Sequence, residues 1–359
     1  MNLATLDTSI NQILQAGTVI PAHPLALDEN RRLDEARQRL LTRYYLAAGI
    51  GGLAVGVHTT QFEIRKPEFN LLEPVLKITA EEIDQHPANK DLIKVAGIVG
   101  PTPQALKEAK LARDYGYHLG LVSMGGLKDY SEKELVERVQ SIAVIIPVFG
   151  FYLQPAVGGR ILSYEFWRAL SDIPNLFAIK IAAFNRYQTL DVIRAVCSAE
   201  RKNEIALYTG NDDNIVNDLM TTYEFSVSGK TAMKKFVGGL LGHWAVWTRA
   251  AVELLERIKR TDQRDGESIN RLLREGIQIT DMNAAIFDVA NAFHGCIPGI
   301  HEILRKQGIL KGTWCLNPDE KLSVGQKEEI DRVCRDYPHF TDDAFVSNFL
   351  QQNRIQTLA

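Results

Sequence analysis

Apolar positions along the chain follow two alternating rhythms. Short runs with continuous rather than alternating apolar character read as strands covered on both faces. Between them apolar residues recur at helical spacing. Strands are expected at 18–21, 52–57, 92–99, 119–124, 145–154, 176–182, 205–209 and 224–228. A helix is expected after each. The first, 32–48, carries Leu33, Ala36, Leu40, Leu41, Tyr44 and Ala48 on one face, and Gly49 supplies a left-handed stop. Further helices are expected at 68–85, 164–172, 188–199, from about 213, and over a long stretch at 233–258. Thr102 is expected to cap the third helix, with Pro103 in its first turn, and Ser131 with Glu134 forms a capping box for the fourth.

Strand and helix repeated eight times is the pattern of a (β/α)8 barrel, an α/β fold. Residues 1–258 are assigned to the barrel. A doubly wound open sheet is the alternative, but no glycine-rich dinucleotide turn follows the first strand. A polar connector at 261–267 leads into helical patterns at 269–280, 283–294, 300–307, 325–336 and 342–352. Residues 259–359 are therefore read as a C-terminal helical extension.

Composition narrows the function. The chain has 359 residues, 24% of them charged, with a formal net charge of −3 and the two signs interspersed. Nothing there suggests a nucleic-acid or membrane surface. The longest apolar run, 142–153, contains Pro147 and Gly150 and is shorter than the ~20 residues a membrane span needs. Residues 1–17 lack the basic start and apolar run of a signal peptide. Cys197, Cys296, Cys315 and Cys334 form no close pair; reduced thiols of a cytoplasmic protein are expected. His294, Cys296 and His301 do not fit a zinc spacing, and neither metal nor cofactor is expected.

The candidate chemistry begins with Lys180, which lies in the apolar run 176–182. A free lysine has a pKa near 10.4, leaving roughly 1 in 2,500 neutral at pH 7. Bringing it to about 7.5 costs the ammonium on the order of 4 kcal/mol and makes it a nucleophile. Either this lysine reaches water at a strand end, or it attacks a carbonyl to form a Schiff base. In a barrel, chemistry sits at the C-terminal strand ends. Those ends offer His58, Thr59 and Thr60; Tyr152 through Pro155, followed by Arg160; Gly210 through Asp213; and Ser228 with Gly229.

These residues resemble the dihydrodipicolinate synthase / N-acetylneuraminate lyase family of class I pyruvate-dependent enzymes. Tyr152, Leu153, Gln154 and Pro155 resemble its Tyr-Asn-x-Pro. Ile179 and Lys180 end the sixth strand, and the spacing from Tyr152 to Lys180 is the family's. Thr59 and Thr60 look like its double threonine, and Asn211 to Asp213 like its Gly-Asp-Asp. The stretch from Gly308 to Ser323 resembles its C-terminal helices. The resemblance implies a Schiff base between Lys180 and the ketone of pyruvate or another 2-oxo acid, and an enamine that makes or breaks a carbon–carbon bond. Tyr152 would relay protons with Thr60 as its partner, and Thr59 and Thr60 would hold the carboxylate. A homodimer or homotetramer is implied, with no cofactor beyond the covalent imine.

The chain also departs from that pattern. Val157 replaces a substrate-binding arginine, for which Arg160 is the nearest substitute. The fourth strand ends in Ser123, Met124, Gly125 and Gly126, where the family has Pro-Tyr-Tyr, so the tyrosine that relays protons across a subunit interface is missing. His58, which titrates near neutral pH in the open, is placed to replace it. Ser228 and Gly229 complete the expected substrate contacts, while Asp212 and Asp213 read as helix caps. The expected activity is a lyase, aldolase or dehydratase acting on a 2-oxo acid with a second carbonyl compound, rather than dihydrodipicolinate synthesis. Gly125, Gly126, Gly158 and Gly159 suggest room for a bulky substrate. The alternative is a binding or regulatory barrel that kept the fold and lost the chemistry. A metal-dependent aldolase on this fold would need a histidine cluster that the strand ends lack.

Overall fold

The computed structural model describes residues 4–87 and 91–353. The first three residues of the N-terminal stretch and the last six of the extension lie outside them. Ten strands are present: β1 (Val19–Pro21), β2 (Gly52–Val55), β3 (Ile93–Ile98), β4 (Leu119–Val122), β5 (Val148–Leu153), β6 (Leu176–Ala182), β7 (Ala206–Thr209), β8 (Tyr223–Val227), β9 (Lys230–Lys234) and β10 (Phe236–Leu241). Eight of them make one parallel sheet in the order β1-β10-β7-β6-β5-β4-β3-β2. Its edges meet through a parallel bridge between Ala22 and Ala54, and His23 N–H donates to the Ala54 carbonyl at 2.8 Å. The sheet thus curls into a (β/α)8 barrel with helices outside.

The last strand is not where the hydrophobic pattern placed it. Residues 223–227 pair antiparallel with 230–234 as a separate hairpin, and the eighth barrel strand is β10. The β8 pattern alternates half-buried and exposed positions, as a one-sided ribbon does, whereas β10 is almost wholly buried. The long helix expected from 233 shortens to Thr248–Arg260 accordingly. The helix Thr8–Ala16 was not expected. It closes the bottom of the barrel, with Ile10 and Leu14 entering the interior cluster and the Leu14 carbonyl accepting from the Tyr208 hydroxyl at 2.9 Å. Gly49 ends its helix with φ 88°, and Ser131 with Glu134 forms the capping box. Pro101, not Thr102, is the cap residue of Thr102–Asp114.

Each barrel strand sends alternate side chains inward and outward. Inside, Ala54, Val95, Leu121, Phe149, Phe151, Ala178 and Leu240 fill the barrel. Outside, Leu53, Ile98, Val122, Ile179, Ile181 and Leu207 pack against the helices. The C-terminal helices continue that outer core: Ile286, Phe287, Ile300 and Leu304 belong to the same cluster. The two helical patterns expected at 269–280 and 283–294 merge into one helix, Gly266–Ile286. After it the chain crosses the top of the barrel.

Candidate active site

Lys180 points into the barrel mouth from β6, between the inward-facing Ala178 and Ala182, and is 8% exposed. Its alkyl stem lies over Gly210. A Cβ at 210 would stand 2.6 Å from Lys180 Cε, so only glycine fits beneath the lysine. Nζ sits 4.5 Å from the centre of the Phe151 ring. Burial holds the ammonium below its ordinary value, and the nearby Asp212 carboxylate offsets part of that shift.

Asp212 follows β7 directly. One carboxylate oxygen accepts from His243 N–H at 2.8 Å, and Asn283 Nδ2 donates to the Asp212 carbonyl at 2.7 Å. Burial pushes the carboxyl up, and the Lys180 charge opposes the shift. The expectation that Asp212 or Asp213 caps the next helix is overturned, since the cap residue of Ile215–Met220 is Asn214. A network on Asp218 fixes the loop from below. Its oxygens accept from Thr209 Oγ1 at 2.7 Å, Asn211 Nδ2 at 2.9 Å, the Tyr223 hydroxyl at 3.0 Å and Arg186 Nη1 at 2.5 Å. That buried carboxylate is satisfied on both oxygens, which makes the β7 end rigid.

The loop after β2 brings His58, Thr59 and Thr60 to the same mouth. Arg65 braces it, reaching the Gly56 and Gly97 carbonyls at 2.9 and 3.0 Å while pairing with Glu108 at 3.0 Å. The Thr60 hydroxyl is committed to the loop itself: it accepts from the Gly56 and Val57 amides and donates to the His23 carbonyl at 2.6 Å. It is not a partner for Tyr152. Thr59 lines the cavity, and its hydroxyl is buried with no hydrogen-bond partner. His58 also lines the cavity. Burial, with the Lys180 charge adding to it, lowers the imidazole to about 4. His58 is therefore neutral near pH 7 rather than poised to titrate there.

Tyr152 is the main departure from the expected constellation. Its ring stacks on Trp167, 5.2 Å between centroids and 24° between planes, in the layer between sheet and helices. The cause lies in strand register. Val148 pairs with Leu176, but Phe149 pairs with Ala178, so Phe177 is an extra residue in β6. One added residue exchanges inward for outward positions beyond it. Phe151, not Tyr152, then pairs with Lys180 and faces the cavity.

Arg160 is also elsewhere, its guanidinium donating to the Leu127 and Tyr130 carbonyls at 2.7 and 3.0 Å. Ser228 and Gly229 form the tip of the β8–β9 hairpin at φ 49° and 76°, away from the barrel mouth. The glycine-rich loops leave no free space at two of the four positions. A Cβ on Gly125 would meet the Gly158 carbonyl oxygen at 2.6 Å, and one on Gly159 the Leu153 carbonyl oxygen at 1.8 Å.

The cavity is narrow, with about 60 Å³ of free space, and opens at the barrel mouth. His58, Thr59, Gln154, Lys180 and Asp212 give it polar groups, and Phe184, Phe287, Phe293 and Ile300 line it as well. Cys296, also lining it, is buried, and burial raises its thiol, so it is not a nucleophile. Sequence reasoning missed Asp212 as a site residue, although its place just after β7 and beside the lysine strand was a usable signal. Phe287 and Phe293 gave none, because they come from the extension.

Comparisons with known proteins agree with this architecture. The dihydrodipicolinate synthetase family pattern matches residues 15–238. N-acetylneuraminate lyase of Citrobacter koseri is 27% identical over 205 residues, covering 56% of this chain and 65% of the lyase. Among solved structures, dihydrodipicolinate synthase from Oceanobacillus iheyensis superposes with a TM-score of 0.71 at 18% identity, over 92% of this chain and 99% of that one. N-acetylneuraminate lyase from Fusobacterium nucleatum complexed with pyruvate gives 0.69 at 18% identity, over 91% and 99%. With its barrel and its family pattern in agreement, the chain belongs to the dihydrodipicolinate synthetase family.

Proposed function

We propose that the protein is a class I lyase or aldolase that holds pyruvate or another 2-oxo acid as a Schiff base on Lys180. The observation that carries this reading is the buried amine of Lys180 at the barrel mouth, held below the ordinary lysine range. The neutral amine attacks the ketone carbon. Loss of water from the carbinolamine gives an iminium, and deprotonation of the adjacent carbon gives an enamine. The free hydroxyl of Thr59 is a donor for the 2-oxo acid carboxylate.

Proton transfer needs a group other than Tyr152. Asp212, with its carboxyl pushed up toward neutrality by burial, is the acid–base of choice. His58 is a neutral neighbour of Lys180 in the same cavity. In this reading the second substrate is a carbonyl compound, no metal or bound cofactor takes part, and the barrel works as a homodimer or homotetramer in the cytoplasm. Among the described residues no helix is long and apolar enough to cross a membrane. Residues 259–359 act as an extension that completes the site rather than as a separate unit.

A second reading has one observation in its favour. Phe151 occupies the position facing Lys180 and cannot carry a proton, as expected of a binding barrel that lost its chemistry. Borohydride reduction with a panel of 2-oxo acids, followed by intact mass, separates the two. A mass gain in wild type and none in Lys180→Ala supports the Schiff base. No gain with any 2-oxo acid leaves the binding barrel.

A further inference from the structure

The cavity has two unlike sides. The floor carries the polar groups already described, and Lys180 is the one cation among the described residues that line it. The roof and wall are Phe184, Phe287, Phe293, Ile300, Leu153 and Val157. Phe184 and Phe293 meet edge to face across the top, 5.8 Å between centroids and 85° between planes.

Both of these phenylalanines have left-handed backbone, φ 50° and 67°, where a bulky side chain is uncommon. Each is held there by hydrogen bonds. Phe184 N–H donates to Asn211 Oδ1 at 3.0 Å, and Phe293 N–H to the Asp288 carbonyl at 3.0 Å. The Asp288 carboxylate in turn accepts from Gly295 N–H at 2.9 Å and from the Ser323 hydroxyl at 2.5 Å. Two strained aromatic positions are thus over-determined by their surroundings and turned toward each other. Three of these six roof and wall residues, Phe287, Phe293 and Ile300, also lie beyond residue 238, where the family pattern ends.

We infer that the second substrate is an uncharged aromatic aldehyde. This rests on the Schiff-base reading of Lys180. Once the lysine is an imine with the 2-oxo acid, no further cation remains in the lining to clamp a second carboxylate. The hydroxyls of a sugar aldehyde, brought under this roof, would lose their water partners and find none on the phenylalanine side. Phe184, Phe287 and Phe293 offer an aromatic ring apolar neighbours, and on parting would seat it with its aldehyde turned down to Asp212 and the enamine. The enamine carbon attacks the aldehyde carbon, and a carbon–carbon bond forms. The aldehyde oxygen takes a proton and becomes a hydroxyl. Water then hydrolyses the imine, restoring the Lys180 amine and releasing a 4-aryl-4-hydroxy-2-oxobutanoate. No oxidant or reductant enters.

The test uses the full chain with pyruvate and, in turn, benzaldehyde, glyceraldehyde and N-acetylmannosamine, with borohydride trapping of pyruvate measured alongside. We expect kcat/KM for benzaldehyde to exceed that for either sugar aldehyde by about tenfold or more, the scale on which an apolar pocket discriminates. Phe293→Ala should shrink that preference, and Phe293→Leu should shrink it less. A pyruvate adduct together with equal or greater turnover of a sugar aldehyde, or with no turnover of benzaldehyde, overturns the aromatic assignment and leaves the Schiff base standing. No adduct at all overturns both.

Discussion

Strands β5 and β6 are neighbours with similar sequences and opposite outcomes. Each is an apolar run with one residue capable of chemistry, Tyr152 in one and Lys180 in the other. The lysine faces the cavity, and the tyrosine is buried against Trp167. Their spacing is 28 residues, the offset that holds at the bottom of the pair, where Val148 meets Leu176. The extra Phe177 makes the offset 29 from Phe149 upward. A spacing along the chain becomes a spacing in space only while the ladder between the strands stays regular.

The largest test of this contrast is the lysine itself. Lys180→Ala is expected to abolish borohydride trapping altogether while the protein remains folded, because it removes a buried amine rather than a packing side chain. Next comes the residue that replaces the tyrosine in this scheme. Asp212→Asn should slow carbon–carbon chemistry by about 10²-fold or more, the usual contribution of a positioned acid–base group. It should also move the midpoint of the imine-formation profile to lower pH, since the Asp212 charge holds the Lys180 ammonium up. An unchanged midpoint would assign Asp212 to structure alone.

A smaller effect concerns pH and stability. His23, His58, His243 and His301 are all lowered by burial to about 4, against 6.5 in the open. As pH falls from 6.5 to 4 the unfolded chain takes up protons that the folded chain refuses, so stability is lost over that window and is complete above it. Each group contributes at most about 1.4 kcal/mol per pH unit. Urea midpoints at pH 7 and pH 5 should differ accordingly, and equal midpoints would contradict the burial of these rings. The smallest effect is the most pointed. Tyr152→Phe keeps the ring stacked on Trp167 and is expected to leave trapping and turnover within about twofold, since stacking geometry rather than the hydroxyl defines its place. A loss on the scale expected for Asp212→Asn would return the proton relay to Tyr152.

The barrel was legible because its signals are local. Continuous apolar runs marked seven of the eight barrel strands, and Gly49 and the Ser131–Glu134 box marked two helix ends, while Thr102 was not the cap residue expected. The eighth strand was not, because β8 and β10 both carry strand-forming residues and only burial on two faces distinguishes them. Lys180 was legible as a charge in an apolar run. The loss of Thr60 and Arg160 from the chemistry was not, because both are consumed by backbone carbonyls and amides of loops whose paths no pattern reveals. Asp212 gains its setting from His243 and Asn283, far along the chain.

The roof of the cavity has a consequence for how such a protein changes over time. The amine, the carboxyl and the threonine loop all lie before residue 213, while Phe287, Phe293 and Ile300 arrive much later. Under the proposed reading, the reacting groups come early in the chain and half of the roof and wall comes late. Under that reading, substitutions in the crossing at 287–300 would retune which aldehyde is admitted without altering the strands that carry the amine. A graft of this crossing onto a related barrel would transfer a preference rather than a mechanism.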